Sequence, residues 1–259
     1  MASRFPSYSS IEVDQPADYV ARIVLSRPDR ANALSRTLFV ELLEVLDLLD
    51  RDDGTRVLLL TGAPRPDGRP WFSSGADQDE PSGAELDPAL PPGRGLVANA
   101  VIDRIEEMLK PSIAVIDGLC TTGALELALG CDLRMAAETA TLCDWHLRTF
   151  GNAIGGWGSA TRLARTVGTS KAKELLLTGR EVSGLEAYEI GLVNRAVPSS
   201  RLMDEGLEWA SAIAAMRPEG VRLTLGFLAL QEHMDTQEAL GWARRVPDLM
   251  QIDRRTPQP

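Results

Sequence analysis

The sequence carries one carboxylate in a setting that favours proton transfer. Residues 123–129 read GALELAL, a helix-like run in which Glu126 is the only charged residue. Gly123 lies three residues earlier, so both fall on one helical face about one turn apart. Burying a lone carboxylate is costly, and loss of water raises its pKa towards the range of a general base. The pattern predicts Glu126 as a catalytic acid or base, the alternative being a solvent-facing glutamate on an amphipathic helix.

The elements that must hold this helix alternate between strands and helices. Residues 19–26 and 57–61 predict strands, the first from its alternation and the second from a short apolar run. Between them, Ser35 is the predicted N-cap of a helix. The Pro-rich segment 64–95 shows no periodicity and predicts a long functional loop that covers the site. Strands that alternate with helices indicate an α/β fold with right-handed crossovers.

The last part of the chain has helical patterns only. The predicted helices cover residues 201–216, 218–230 and 236–246. We therefore place a boundary near Pro198. It divides an α/β core, residues 1–198, from a C-terminal helical region, residues 199–259.

The composition excludes several classes of function. A net charge of −10 argues against nucleic-acid binding, which needs a basic face. The sequence has neither an apolar leader nor a run approaching the roughly 20 apolar residues of a membrane span. Three cysteines without C-x-x-C spacing predict neither a disulfide framework nor a zinc site, and we expect no metal. These features predict a soluble cytoplasmic protein.

Four segments with family signatures follow one another along the chain. Residues 25–34 read LSRPDRANAL and residues 72–77 read FSSGAD. Residues 110–132 read KPSIAVIDGLCTTGALELALGCD, and residues 176–194 read LLTGREVSGLEAYEIGLVN. They resemble, in the same order, LNRPxxxNAL, FSAGAD, KPxIAAVxGxxxGGGxELAxxCD and LLTGxxxxAxxAxxxGLVxxVxP of the enoyl-CoA hydratase/isomerase (crotonase) superfamily. Each motif alone is weak, but their shared order identifies the chain as a member.

The resemblance implies a fold, a substrate and a site. The fold is a crotonase-like spiral of ββα units, and the C-terminal helical region assembles a homotrimer or a dimer of trimers. The substrate is an acyl-CoA thioester, and no separate cofactor is implied. Main-chain N–H groups of Ala76 and Gly123 form an oxyanion hole for the thioester enolate, where one donor contributes about 3–4 kcal/mol. Glu126 corresponds to one of two catalytic glutamates.

The second catalytic glutamate of the family has no counterpart. Family members have a segment FxxPExxLG, whereas residues 142–151 read LCDWHLRTFG. Counting forward from the CD pair at 131–132 puts His146 in its place, and counting back from residues 150–151 is off by one, which indicates an insertion. His146 can act as an acid or base. Asp144 is the other candidate, and either side chain could instead only hold the loop.

The resemblance also implies contacts with coenzyme A. Arg27 and Arg30 are placed to meet phosphates. The main chain around Ala31, and from Gly75 to Asp77, would meet the adenine and the pantetheine, because a glycine lets the backbone approach closely. Ordinary surface ion pairing is the alternative for both arginines.

Two further segments bear on the ligand that the chain binds. The family's final segment, DxxEGxxAFxEKRxPxF, has no counterpart in residues 253–259, so coenzyme A contacts or packing there must differ. Residues 155–158 read GGWG, but without a preceding strand or a downstream acidic residue they do not predict a nicotinamide dinucleotide site.

Syn hydration of a 2-enoyl-CoA is the leading expectation. The alternatives are double-bond isomerisation or thioester hydrolysis with one glutamate, and a catalytically weak acyl-CoA-binding paralogue.

Overall fold

The computed structural model of the chain describes residues 4–80 and 94–249, and within them strands and helices alternate as predicted. The strands are β1 (Ile11–Ala17), β2 (Val20–Leu25), β3 (Val57–Gly62), β4 (Trp71–Ser73), β5 (Ser112–Ile116), β6 (Leu119–Thr121), β7 (Leu133–Ala137), β8 (Thr141–Cys143), β9 (Val182–Ser183) and β10 (Arg195–Val197). The helices are α1 (Arg36–Arg51), α2 (Arg94–Glu107), α3 (Gly123–Leu129), α4 (His146–Phe150), α5 (Ser159–Val167), α6 (Thr169–Thr178), α7 (Gly184–Glu189), α8 (Ser199–Ala214), α9 (Pro218–Gln231) and α10 (Thr236–Leu249).

Successive turns of the chain add one strand to each of two sheets. The six-stranded sheet has the order β1-β2-β3-β5-β7-β10, and the four-stranded sheet has the order β4-β6-β8-β9. Neighbouring strands are parallel except in the pairs β1–β2 and β8–β9. A helix follows each of the strand pairs β3-β4, β5-β6 and β7-β8. The predicted spiral of ββα units is confirmed.

Apolar strands and helices build the core that supports the site. Every residue of β5 is buried, because parallel strands are covered on both faces. Helix α1 begins at the predicted N-cap, where Ser35 Oγ accepts the Leu38 N–H at 3.2 Å. The apolar stripe of α1, which includes Phe39 and Leu46, is buried against the rest of the core.

Helix α8 packs on the core, and the domain boundary near Pro198 stays a prediction. The helix begins at Ser199, next to that boundary, and it packs on the six-stranded sheet. An added Cβ at Gly206 in its middle would lie 3.3 Å from atoms of both Met135 and Val115. Leu202, Ala210 and Ala214 of this helix are part of the hydrophobic core. Helix α9, by contrast, contributes no buried residue.

The segment predicted as one loop, residues 64–95, contains regular structure. Strand β4 lies inside it, and α2 begins at Arg94. A three-residue strand is too short to show a periodicity, so the sequence pattern could not reveal it. Residues 81–93 lie outside the described residues. Among the described helices, none is both long and apolar enough to cross a membrane.

Candidate active site

Three neighbouring parallel strands of the four-stranded sheet lead into the site. Strand β4 is followed by Gly75 and Ala76, β6 by Gly123, and β8 by Asp144. The carboxyl ends of parallel strands lie at one edge of a sheet, which is where α/β proteins bind ligands. The topology thus brings together segments that are far apart in the sequence.

The amides of Ala76 and Gly123 lie on adjacent segments. Leu34 N–H donates to Gly75 O at 2.8 Å, and Asp77 N–H donates to Leu34 O at 3.0 Å. Between these bonds, the Ala76 N–H has no acceptor among the described residues, nor has the Gly123 N–H at the start of α3. Gly75 has a φ of +85°, and an added Cβ there would lie 3.3 Å from Gly123 N. Both amides are free to donate to a ligand, as an oxyanion hole requires.

The turn before α3 is strained. Thr122 has φ 55° and ψ −115°, which is rare for a β-branched residue and costs about 1–3 kcal/mol. Its N–H donates to Cys143 O at 3.0 Å, and its Oγ1 accepts the Trp145 N–H at 3.3 Å. The family motif has glycine where this chain has Thr122, and that departure is the sequence signal for the strain. These contacts hold the turn that sets the start of α3.

Glu126 is buried, so the alternative of a solvent-facing glutamate is wrong. The residue is 1% exposed, and its Oε1 accepts the Trp157 N–H at 2.9 Å and the Ser159 N–H at 3.0 Å. Burial raises the pKa of Glu126, and the charge of His146 and these two N–H groups offset the rise only in part. The other oxygen, Oε2, lies 3.5 Å from His146 Nε2. This oxygen is the one available for proton transfer.

His146 and Asp144 form one unit. His146 Nδ1 lies 2.9 Å from Asp144 Oδ1 and 3.1 Å from Oδ2. The His146 N–H also donates to Asp144 Oδ1 at 2.9 Å. His146 is the first residue of α4, a helix that the sequence pattern did not predict. With Nδ1 held by Asp144, Nε2 faces Glu126, and the two candidates for the missing glutamate lie in one hydrogen-bonded unit.

The charges of this unit follow from its hydrogen bonds. Burial alone would raise the pKa of Asp144, but hydrogen bonds from His146 and Ser159 outweigh it and the pKa is lowered. Burial alone would lower the pKa of His146, but the hydrogen bond and charge of Asp144, with the charge of Glu126, raise it above its ordinary value. Asp144 is therefore ionised at neutral pH. The pKa values of Glu126 and His146 are both raised, and Glu126 Oε2 and His146 Nε2 lie 3.5 Å apart.

Ser159, which the sequence did not single out, connects the two halves of the site. Its Oγ donates to Asp144 Oδ2 and its main-chain N–H donates to Glu126 Oε1, and the residue is fully buried. One residue at the start of α5 thus orients both carboxylates.

Gly155 lies directly against the Glu126 carboxylate, and we predict that Gly155→Ala lowers the catalytic rate. An added Cβ would overlap Glu126 Oε1 and lie 2.6 Å from Ser159 Cβ, at a φ of +76° that disfavours alanine. We expect kcat to fall about tenfold or more, because a displacement of about 1 Å can cost 10²-fold. Steady-state kinetics on an enoyl-CoA would measure it.

Gly156 provides the matched control for this prediction. An added Cβ at Gly156 meets no described atom within 4 Å, and its φ is not positive. Gly156→Ala should therefore retain activity within about twofold of the original. Equal losses in the two variants would mean that the turn, not the carboxylate, is what the substitution disturbs.

Three of the residues predicted to contact coenzyme A form ion pairs, namely Arg27, Arg30 and Asp77. Arg27 Nη1 lies 2.8 Å from the buried Asp77 Oδ2, and Arg30 reaches both Asp77 and Asp79 while staying half exposed. Burial alone would raise the pKa of Asp77, but hydrogen bonds led by Arg27 lower it. Ala31 has a φ of 51° and ends a short 3-10 turn. Contact of these residues with coenzyme A stays a prediction.

Asn32 holds the segment that carries the first amide, and sequence reasoning assigned it no role. It is fully buried, and its Nδ2 donates to Ala63 O at 2.7 Å and to Trp71 O at 3.0 Å. Its Oδ1 accepts the Arg27 N–H at 3.0 Å. The asparagine of the first family motif thus fixes the start of β4.

Other acidic and thiol groups near the site have structural partners or are simply buried. Asp132 Oδ2 accepts both the N–H and the Oγ–H of Ser112 at 2.8 Å. Cys120, Cys131 and Cys143 are buried and form no disulfide. Within the described part of the chain, no three His, Cys, Asp or Glu side chains are grouped to hold a metal ion.

Comparison with known proteins gives a consistent result. The profile of the family described as enoyl-CoA hydratase/isomerase matches residues 16–242. A putative enoyl-CoA hydratase/isomerase of Bacillus subtilis is 37% identical over 227 residues, which cover 87% of this chain and 83% of that protein. The mouse protein named enoyl-CoA hydratase domain-containing protein 2, mitochondrial, is 34% identical over 93% of this chain and 79% of its own length. The crystal structure of an enoyl-CoA hydratase from Bacillus anthracis is similar with a TM-score of 0.84 and 33% identity, covering 95% of this chain and 93% of that one.

Proposed function

This chain belongs to the enoyl-CoA hydratase/isomerase family, and we propose that it adds water to the double bond of a 2-enoyl-CoA. The proposal rests on two proton-transfer groups, Glu126 Oε2 and His146 Nε2, which lie 3.5 Å apart. Hydration moves two protons, one away from water and one onto the α-carbon, and each of these groups can handle one of them. The free amides of Ala76 and Gly123 support the stabilisation of the enolate.

In the proposed reaction, Glu126 and His146 carry out both proton transfers. Glu126 Oε2 takes a proton from water as the water oxygen bonds to the β-carbon. The electron pair of the double bond moves towards the thioester oxygen, where the Ala76 and Gly123 N–H groups donate to the developing enolate. The His146 imidazolium then protonates the α-carbon on the same face. Transfer of the proton from Glu126 to His146 restores the starting state.

A crotonyl-CoA assay tests the proposal. We expect loss of the enoyl absorbance and formation of 3-hydroxybutyryl-CoA, with kcat in the range of about 1–10³ s⁻¹. In heavy water the product should carry one deuterium at the α-carbon, because the proton on His146 Nε2 exchanges with solvent. Mass spectrometry of the product measures both results.

Three other outcomes would contradict hydration and identify the alternative. Conversion of a 3-enoyl-CoA to a 2-enoyl-CoA without uptake of water would assign isomerisation. Release of free thiol from crotonyl-CoA would assign thioester hydrolysis. Tight binding of acetoacetyl-CoA without turnover of any enoyl-CoA would assign an acyl-CoA-binding protein.

We also propose that the chain forms a homo-oligomer and works in a reducing compartment. A homotrimer, or a dimer of trimers, is supported by α9, which has no buried residue although it carries half-exposed Leu228 and Leu230. The buried, unpaired cysteines support a reducing compartment such as the cytoplasm. The mouse relative is named as mitochondrial, and that location belongs to that protein. Size-exclusion chromatography with light scattering would measure the assembly.

A further inference from the structure

Trp157 lies directly against the start of α3. An added Cβ at Gly123 would overlap the indole at Cζ3 and lie 3.0 Å from Cε3, so the ring rests on the Gly123 α-carbon. The indole is 7% exposed and meets the Phe39 ring edge to face, with centroids 5.1 Å apart and planes at 82°. This contact explains why residue 123 must be glycine. A large ring therefore stands next to the amide proposed to bind the thioester oxygen.

The ring has little freedom to move away. Phe39 behind it is fully buried in the apolar stripe of α1, and a close-packed core does not yield space for an indole. The Trp157 carbonyl accepts a hydrogen bond from Arg162 Nη1 at 2.6 Å. Arg162 is held in turn by Glu106 of α2 through two bonds of 2.6 Å. The main-chain N–H of Trp157 is fixed by Glu126.

The position of the ring limits the room for an acyl chain. A thioester oxygen at the Gly123 N–H would leave the α- and β-carbons beside Glu126 and His146, one turn along α3. The indole packs on Gly123 and the main-chain N–H of Trp157 is bound to Glu126, so the ring lies beside two residues that would contact the acyl group. Because the Trp157 ring is fixed between Gly123 and Phe39, each methylene added to the acyl chain would contact a ring that cannot move away.

We propose that Trp157 closes the acyl end of the site and restricts the substrates to short-chain enoyl-CoAs of about four to six carbons. This inference rests on the proposed acyl-CoA chemistry. It adds a substrate class and a residue that selects it.

Kinetics with crotonyl-CoA and 2-octenoyl-CoA test this proposal. In the original protein, kcat/KM should be at least about tenfold higher for crotonyl-CoA. Trp157→Leu should raise the ratio of octenoyl to crotonyl activity about tenfold, and Trp157→Phe, which keeps a ring against Phe39, should give a smaller rise. Trp242→Leu removes an indole that is 41% exposed on α10 and should leave the ratio unchanged. A ratio measured on one sample does not depend on the fraction of folded protein.

A preference of the original protein for 2-octenoyl-CoA, or an unchanged ratio in both Trp157 variants, would overturn the proposal. Calorimetric binding of butyryl-CoA and octanoyl-CoA, which cannot be hydrated, separates this failure from failure of the proposed reaction. If no enoyl-CoA reacts, tighter binding of butyryl-CoA that Trp157→Leu reverses would still support this role of Trp157. If the preference for butyryl-CoA over octanoyl-CoA is the same before and after the substitution, the proposed role of Trp157 is refuted.

Discussion

Replacing Glu126 by glutamine is expected to lower kcat for hydration by about 10²–10⁴-fold while the protein stays folded. Glutamine keeps an oxygen that can accept the Trp157 and Ser159 N–H groups, so the two hydrogen bonds that hold the side chain survive. It cannot take a proton from water. The buried carboxylate, with its raised pKa, is thereby tested as a base and not as a structural group.

The matched control is Glu138→Gln, which makes the same chemical change on an exposed side chain after β7. Its kcat should equal that of the original protein. Acetoacetyl-CoA should bind both variants with similar affinity, since the Ala76 and Gly123 amides are untouched. Unchanged turnover in Glu126→Gln would refute the catalytic role of this residue. A loss of turnover together with a loss of the folded state would assign it a structural role.

The family and the fold were predictable because their signals are long and redundant. Four collinear motifs, together with strands and helices in alternation, identified a spiral of ββα units. Glu126 was predictable from a local conflict, namely a charge in an apolar helix. By contrast, β4 and β6 are three residues each, and so short a segment cannot show a period.

The partners of Glu126 were harder to predict from the sequence. His146 and Asp144 are two residues apart, and counting from the two ends of the segment gave different alignments. Only the start of α4 brings both onto one hydrogen-bonded unit. Ser159 acts partly through its main-chain N–H, and no residue type reports a main-chain contact in advance. Such positions follow from topology, which brings the ends of β4, β6 and β8 together.

Asp144→Asn is expected to shift the alkaline limb of the pH–rate profile to lower pH. In the original protein, burial alone would lower the pKa of His146, but the hydrogen bond and charge of Asp144 raise it above its ordinary value. The proton on His146 is therefore kept to higher pH, and activity is lost as pH rises through that raised pKa. Asparagine removes the charge and leaves burial as the dominant influence, so the proton is lost at lower pH. Measuring kcat across the neutral and alkaline range locates the limb.

The direction of this shift distinguishes two roles of Asp144: setting the pKa of the proton donor His146, or only holding the loop. If His146 donates the proton to the α-carbon, the limb must follow the pKa of the imidazolium, and removal of the Asp144 charge must move it down. Asp204→Asn, an exposed change on α8, should leave the limb in place. A uniform fall in kcat with an unmoved limb would mean that Asp144 only holds the loop. In that case Glu126 would be left as the sole proton-transfer group, which favours isomerisation over hydration.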